Sequence, residues 1–269
     1  MVVDKQLIAD CKEFDNRAQS ELYNKYSSLM FGICLRYCQS YEEAEDLLQE
    51  GFITIYAKIG QYSGEGSFLG WMRRVMINTV LMSFRKKAND KHMLEIDGIN
   101  ELKIVTDHKD ENEEINLHDV KSMIENSHFS QEELLEAISK LPSGYQVVFN
   151  LRVIEGYKHI EIAEALNISE STSKSQLLRA RKLLRKNLYE LSLTKHSEKR
   201  KKKFVYAIAF LGMNDNFNYI DEILKQGFEN MNVPPSTEWT SLSAKMNAAK
   251  TAADASASGV GASSGITQI

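Results

Sequence analysis

Proline is scarce in this chain. Its 269 residues include three prolines, the first at Pro142 and then Pro234-Pro235, and 14 glycines. These are the residues that break helices, and long stretches rich in Leu, Glu, Lys, Ala and Ile run on without a turn signal. No convincing period-two alternation marks a strand. The expected fold class is therefore all-α: two small helical domains joined by an acidic flexible linker, followed by a C-terminal helical extension. A hydrophobic share of 43% over this length supplies a core for each domain.

The first domain is placed at residues 1–90, with helices from about Asp15 to Cys38, Tyr41 to Ile59 and Ser67 to Lys87. Gln39-Ser40 separates the first two helices, and the loop Gly60 to Gly66 precedes the third. Residues 91–129 read as a linker without a convincing apolar face, extended or mobile apart from short helical turns. The second domain, 130–193, is predicted to carry helices near Gln131 to Lys140, Ser143 to Glu155, Lys158 to Leu166 and Glu170 to Leu191. Leu141-Pro142-Ser143-Gly144 marks its first turn by stiffness and capping. An extension, 194–250, holds the basic run Lys199 to Lys203, the apolar stretch Phe204 to Met213 and a helix-like segment from Tyr219 to Asn230. The tail, 251–269, is rich in Ala, Ser and Gly and reads as disordered.

Net charge is −4, but its distribution is uneven. Ile96 to Lys140 carries 12 acids and 4 bases, whereas Lys174 to Lys203 carries 12 bases and 2 acids. An acidic middle flanked by a basic helix directs attention to polyanions. Cys11, Cys34 and Cys38 have no partners that complete a metal set, so they are expected to be core thiols. No stretch reaches the roughly 18 apolar residues of a bilayer span, and no leader is visible, so a cytoplasmic protein without membrane insertion is expected. No nucleotide loop, metal set or nucleophile with a base is visible, so neither an enzyme nor a cofactor is expected.

The second domain contains a helix-turn-helix pattern. Ile162, Ala163 and Leu166 share one face, and Asn167-Ile168-Ser169 then stops the helix, with Asn suited to the left-handed conformation. Ser169 is placed to cap the next helix, and Glu170 suits the positive end of its dipole. In that helix Leu177, Ala180, Leu184 and Leu188 form a packing stripe, while Ser171, Lys174, Ser175, Arg179, Lys182 and Lys186 share another face. Lys174, Ser175 and Arg179 are candidates for base or nearby phosphate contacts, and Arg181, Lys182, Arg185 and Lys186 for phosphate or solvent. Taken alone, the same pattern also suits an ordinary helical hairpin with a solvated basic face.

In the first domain, Leu69, Met72, Met76 and Val80 line a core face of the third helix. Trp71, Arg74, Asn78, Leu81 and Arg85 are assigned to a second face, to which Arg73, Lys86, Lys87 and Lys91 add charge. An aromatic and an amide on a basic surface suit nucleic acid, since an amide pairs with a base edge and an aromatic ring stacks on a base. Trp71 by itself also fits a core position.

Asp46-Leu47-Leu48-Gln49-Glu50-Gly51-Phe52, then Phe68-Leu69-Gly70-Trp71 through Asn78-Thr79, then Leu141-Pro142 with the helix-turn-helix and Thr172-Ser173-Lys174-Ser175 through Arg179-Ala180-Arg181 stand in a telling order. They resemble three motifs of the extracytoplasmic-function (ECF) sigma factors of bacterial RNA polymerase. The likeness covers roughly residues 14 to 190. It implies a transcription-initiation factor that binds core RNA polymerase through the largest-subunit clamp and the beta flap. The resemblance assigns clamp binding to Asp46, Leu47, Gln49, Glu50 and Phe52. It assigns reading and melting of the minus-ten element to Gln61, Tyr62, Ser63, Gly64, Phe68, Trp71, Arg73, Arg74, Asn78, Thr79, Arg85 and Lys86. Ser171, Thr172, Lys174, Ser175, Arg179 and Lys182 are assigned to the minus-thirty-five element. The implied DNA partner is promoter duplex and melted single strand.

Two positions depart from the family pattern. Ser173 replaces the usual apolar residue, and Ser171 stands where glycine is frequent, so promoter sequence does not transfer from relatives. The linker is implied to thread toward the RNA exit path, its acidity mimicking RNA. The extension lies outside the family plan. Its segment Tyr219 to Trp239 has a low-specificity likeness to cytoplasmic segments of anti-sigma proteins, which leaves open an anti-sigma or other targeting partner, a cover for the factor itself, or a plain accessory hairpin. The rival function is a stand-alone helix-turn-helix regulator that does not join polymerase.

Overall fold

The computed structural model describes residues 5–90, 117–195, 217–229 and 231–248. Every regular element among the described residues is a helix. The first unit comprises α1 (Lys5–Lys12), α2 (Asn16–Leu35), α3 (Tyr41–Lys58) and α4 (Phe68–Asp90). Side-chain oxygens start its helices: Asp15 accepts from Ala18 N at 2.8 Å and Ser40 from Glu43 N at 3.1 Å. Its core gathers Tyr26, Met30, Phe31, Leu48, Phe52, Ile55, Tyr56 and Met72, all essentially without solvent exposure. Cys11, Cys34 and Cys38 are buried in the core, as expected, and Cys34 Sγ lies 3.5 Å from Met76 Sδ.

The second unit comprises α5 (Leu117–Glu125), α6 (Gln131–Ser139), α7 (Ser143–Phe149), α8 (His159–Leu166) and α9 (Glu170–Lys195). A full capping box of Ser130 and Glu133 opens α6. At α7 no side chain caps the helix; Pro142 supplies the stiff entry, and its carbonyl accepts from Tyr145 N at 2.9 Å. The helix expected to run to Glu155 changes after Phe149 into a π-turn, Asn150–Ile154.

Two elements correct the sequence expectation. Helix α1 precedes the first anticipated helix and buries Leu7, Ile8 and Cys11. The end of the presumed linker forms α5, which buries Val120 and Ile124 against the second unit. Acidic composition had hidden an apolar spacing of three and four. Residues 91–116 of the linker, the basic run, the apolar stretch Phe204 to Met213 and the tail lie outside the described residues.

The C-terminal part adds α10 (Asn218–Phe228), an extended segment from 231, and α11 at residues 239–248. Buried Phe217, Ile220, Leu224, Phe228, Met231 and Leu242 join one continuous apolar cluster with the cores of both units. Among the described residues, no helix is long and apolar enough to cross a membrane.

Candidate nucleic-acid interface

Helix α4 presents one exposed polar face and one buried apolar face. Arg74, Asn78, Arg85 and Lys86 are exposed, while Met72, Met76 and Val80 are core. Leu81, expected on the exposed face, is 2% exposed and belongs to the core, because the apolar stripe of α4 is broader than a single row. Thr79 is also buried, and its Oγ1 donates to Val75 O at 3.1 Å, so it supports the helix from within. Arg73 pairs with Glu155 of the second unit, 3.2 Å away.

The loop before α4 makes a pocket. Gly64 and Gly66 have φ of 86° and 74°, the left-handed region in which a side chain strains the backbone. Tyr62 OH donates to Gly66 O at 2.9 Å and closes the loop, and Ser67 Oγ accepts from Gly70 N at 3.2 Å to start α4. Phe68 is buried, with Trp71 stacked on it at 5.6 Å and 21° and half-buried beside Tyr62. Trp71 is thus neither wholly core nor wholly free. Beside these rings lies a partly open pocket of about 700 Å³, lined by Tyr62, Ser63, Gly64, Gly66, Ser67 and Phe68 and bordered by α1 with Lys5, Ile8, Ala9 and Lys12. Lys12 Nζ donates to Tyr62 O at 3.0 Å. The sequence assignment included the loop but missed the two lysines, for which the Leu7-Ile8-Cys11 spacing was the available signal. Gln61 is exposed at the loop's start.

The helix-turn-helix forms as anticipated. Asn167 ends α8 with φ 55° and ψ 46°, and Ser169 Oγ accepts from Thr172 N at 3.0 Å. The same hydroxyl meets Ser171 Oγ at 2.8 Å and Thr172 Oγ1 at 2.7 Å, so the first turn of α9 is knotted by hydroxyls. Lys174 is exposed and pairs with Glu170 at 2.7 Å, a surface contact of little energetic weight. Ser175, Arg179 and Lys182 are half-exposed. Ser173 is fully buried and bonded to His159 Nδ1 at 2.9 Å, so a hydrogen bond replaces the apolar packing usual there. Burial, followed by the nearby Arg152 and Lys174, holds the His159 pKa below its ordinary value.

Arg181 and Arg185 depart from the expectation of phosphate or solvent contact. Arg185 is 1% exposed and lies over the Phe217 ring at 5.1 Å. Arg181 Nε donates to Asp221 Oδ1 at 2.9 Å.

On α3, Asp46 and Glu50 are exposed, whereas Leu47 and Phe52 are core residues. Gln49 is 9% exposed because the C-terminal segment lies over it: its Nε2 donates to Thr237 Oγ1 at 3.1 Å, and its Oε1 accepts from Lys245 Nζ.

Comparison with known proteins agrees with this geometry. Residues 22–89 match the family model of sigma-70 region 2, and residues 131–184 match that of sigma-70 region 4. The ECF RNA polymerase sigma factor SigW of Bacillus subtilis is 31% identical over 192 residues, covering 70% of this chain and 97% of that protein. The RNA polymerase sigma-H factor of Pseudomonas aeruginosa is 27% identical over 191 residues, covering 70% and 95%. The ECF RNA polymerase sigma-E factor of Haemophilus influenzae is 27% identical over 198 residues, covering 71% and 97%. With its first unit matching region 2, its second matching region 4, and a relative 31% identical over 70% of its length, the chain belongs to the ECF RNA polymerase sigma factors.

Proposed function

We propose that this chain brings core RNA polymerase to promoters and opens them, with the work divided among three helices. Helix α3 docks on the clamp through Asp46, Gln49 and Glu50, held in place by Leu47 and Phe52 beneath. Helix α4 and its preceding loop read and melt the minus-ten element. The first turns of α9 enter the major groove at the minus-thirty-five element, while the second unit rests on the beta flap.

The observation that carries this division is the pocket at the start of α4. Unstacking a base costs a few kcal/mol, which a fitted pocket offsets. This pocket of about 700 Å³ combines a wall of rings, hydroxyls of Ser63 and Ser67, and Lys5 and Lys12 within reach of phosphate. Exposed Arg74, Asn78, Arg85 and Lys86 continue from it along α4. A regulator that acted without polymerase would have no use for such a pocket.

The domain division we propose is 1–90 for minus-ten reading, 91–129 for an acidic linker directed at the RNA exit path, 130–193 for minus-thirty-five reading, 194–250 for regulation and 251–269 for a tail. The factor works in the cytoplasm and has no catalytic chemistry of its own. Permanganate footprinting with core polymerase tests the reading. Reactive thymines around the minus-ten element are expected with the wild type and lost in Asn78→Ala; equal reactivity in both would contradict the role of α4.

A further inference from the structure

The two DNA-reading units are packed on each other, and the packing is bolted by the C-terminal segment. Arg36 at the end of α2 is buried between them; its Nη2 donates to Glu155 Oε1 at 2.8 Å. Its carbonyl accepts from Asn150 Nδ2 at 2.7 Å and Gln146 Nε2 at 3.0 Å. Helix α10 sits over this junction. Phe228 lies 5.7 Å from the Arg36 guanidinium, while Asp221 and Phe217 hold Arg181 and Arg185 of α9.

From α10 the chain crosses to the first unit. Met231 O and its side chain press so closely on Gly32 that a Cβ there would lie 2.9 Å from the oxygen. Val233 N donates to Ser28 O at 3.2 Å, Tyr23 OH to Thr237 O at 2.7 Å, and Tyr41 OH to Pro234 O at 3.1 Å. Ser236 N donates to Glu45 at 2.7 Å, and Trp239 packs its ring on Tyr23 and Tyr56. Gln49, one of the α3 residues assigned to polymerase, and Glu45 one turn before it are therefore met by the protein's own chain, while Asp46 and Glu50 stay exposed beside them.

Length makes this arrangement incompatible with promoter reading. Elements centred about 25 base pairs apart are separated by about 85 Å at roughly 3.4 Å per base pair. A single folded body of roughly 200 residues has a radius of gyration of about 17 Å and is about 45 Å across. The units must part before both elements are read.

The closure is also built to yield. Arg36 Nε, Tyr37 OH, Gln146 Oε1 and Asn150 Oδ1 are buried at this boundary without hydrogen-bond partners among the described residues. Such atoms favour a state in which water reaches them. Along the seam of the C-terminal segment runs an open groove of about 430 Å³, lined by Ser20, Asn24, Ser27, Pro235 and Trp239, which gives solvent access to the edge of the contact. The matched Bacillus subtilis relative leaves about 30% of this chain outside the match, and both family models end before residue 217.

We propose that residues 217–229 and 231–248 act as an intramolecular clasp: α10 locks the minus-thirty-five unit onto the minus-ten unit, and residues 231–248 lie over the Glu45–Gln49 edge of the polymerase-docking face of α3, where they stand in the way of a docking partner that also needs Asp46 and Glu50. The free factor is thereby held in a closed resting state, and core polymerase competes with the clasp for α3. The proposal rests on the sigma-factor reading of α3.

Full-length chains and sigma-free core polymerase provide the test, with affinity measured for three proteins. The wild type is compared with Trp239→Ala/Leu242→Asp, which removes the clasp's anchors on the first unit. The third chain, Ser28→Cys/Val233→Cys, joins two backbones already bonded and locks the clasp when oxidised. A resting state closed about nine-tenths of the time predicts a gain of about tenfold in affinity when the clasp is weakened. Oxidation of the locked chain is expected to abolish binding and reductant to restore it, and this arm decides alone if the weakened chain does not fold. Equal affinity for all forms overturns the clasp and leaves the sigma reading standing. Absence of binding by every form, reduced or oxidised, overturns both.

Discussion

Arg36 and Glu155 form an ion pair at 2.8 Å across the boundary between the two DNA-reading units, with side-chain exposures of 3% and 6%. Burial weighs against the Arg36 charge and Glu155 offsets it. A buried charge that loses its partner costs about 3–5 kcal/mol, more than the pair contributes when intact. Glu155→Ala is therefore expected to lower the stability of the closed protein by about that amount in urea titration. A change within about 0.5 kcal/mol, the range of an ordinary surface substitution, would show that the pair does not hold the boundary.

Ser173→Ala removes the partner of His159 inside the helix-turn-helix. A loss of about 1 kcal/mol is expected, and it should appear in the thermal midpoint. An unchanged midpoint would mean that the hydrogen bond contributes nothing.

The same imidazole gives the unit a pH dependence. Its folded pKa lies below the ordinary 6.5, so the unfolded chain takes up the proton first. The His159 contribution is fully present above 6.5 and is lost as pH falls from there through the folded value. Urea midpoints at pH 7.5 and 5.5 should differ more for the wild type than for His159→Gln. Equal differences would remove His159 from the account.

Trp71→Ala and Asn78→Ala should slow open-complex formation while core polymerase still binds. Losing a base stack costs about 1–3 kcal/mol, or roughly 5- to 150-fold in rate. Equal loss of core binding in a pull-down would end the proposed division between α3 and α4.

Arg179→Ala should weaken protection of the upstream element without lowering the helix content of the protein. If the contact is to phosphate, the salt slope of binding falls by about one; if it is to a base, discrimination at one position relaxes by about 1–3 kcal/mol. An unchanged footprint and slope would place Arg179 outside the interface.

The helix-turn-helix was legible because its signals are local. Asn167 and Ser169 fix the turn by their own backbone and hydroxyl chemistry, whatever packs around them. The core face of α4 was legible for the same reason, although spacing alone does not show how wide a helix's buried stripe is, and so Leu81 was placed on the exposed face; Thr79, which only the family resemblance assigned to DNA, is buried as well. Helix α1 and helix α5 were missed because each is short, and the second lies in acidic sequence where Val120 and Ile124 are easily passed over.

The segment Tyr219 to Trp239 stood out in the sequence as a candidate cover for the factor itself, but the contacts it makes left no local trace. Tyr23 meets Thr237 and Gln49 meets Lys245 across most of the chain, and nothing in either neighbourhood announces the other. Arg185 illustrates the same limit: a basic row on a helix reads as a polyanion surface, yet Phe217 arrives from outside that helix and buries its guanidinium.

Run-off transcription from a genomic promoter library, using purified full-length protein and sigma-free core polymerase, tests the central claim most directly. The account predicts promoter-specific transcripts that require both the protein and core polymerase, starting downstream of paired minus-thirty-five and minus-ten elements. DNA binding that is indifferent to polymerase, with no transcript above core alone, would contradict it.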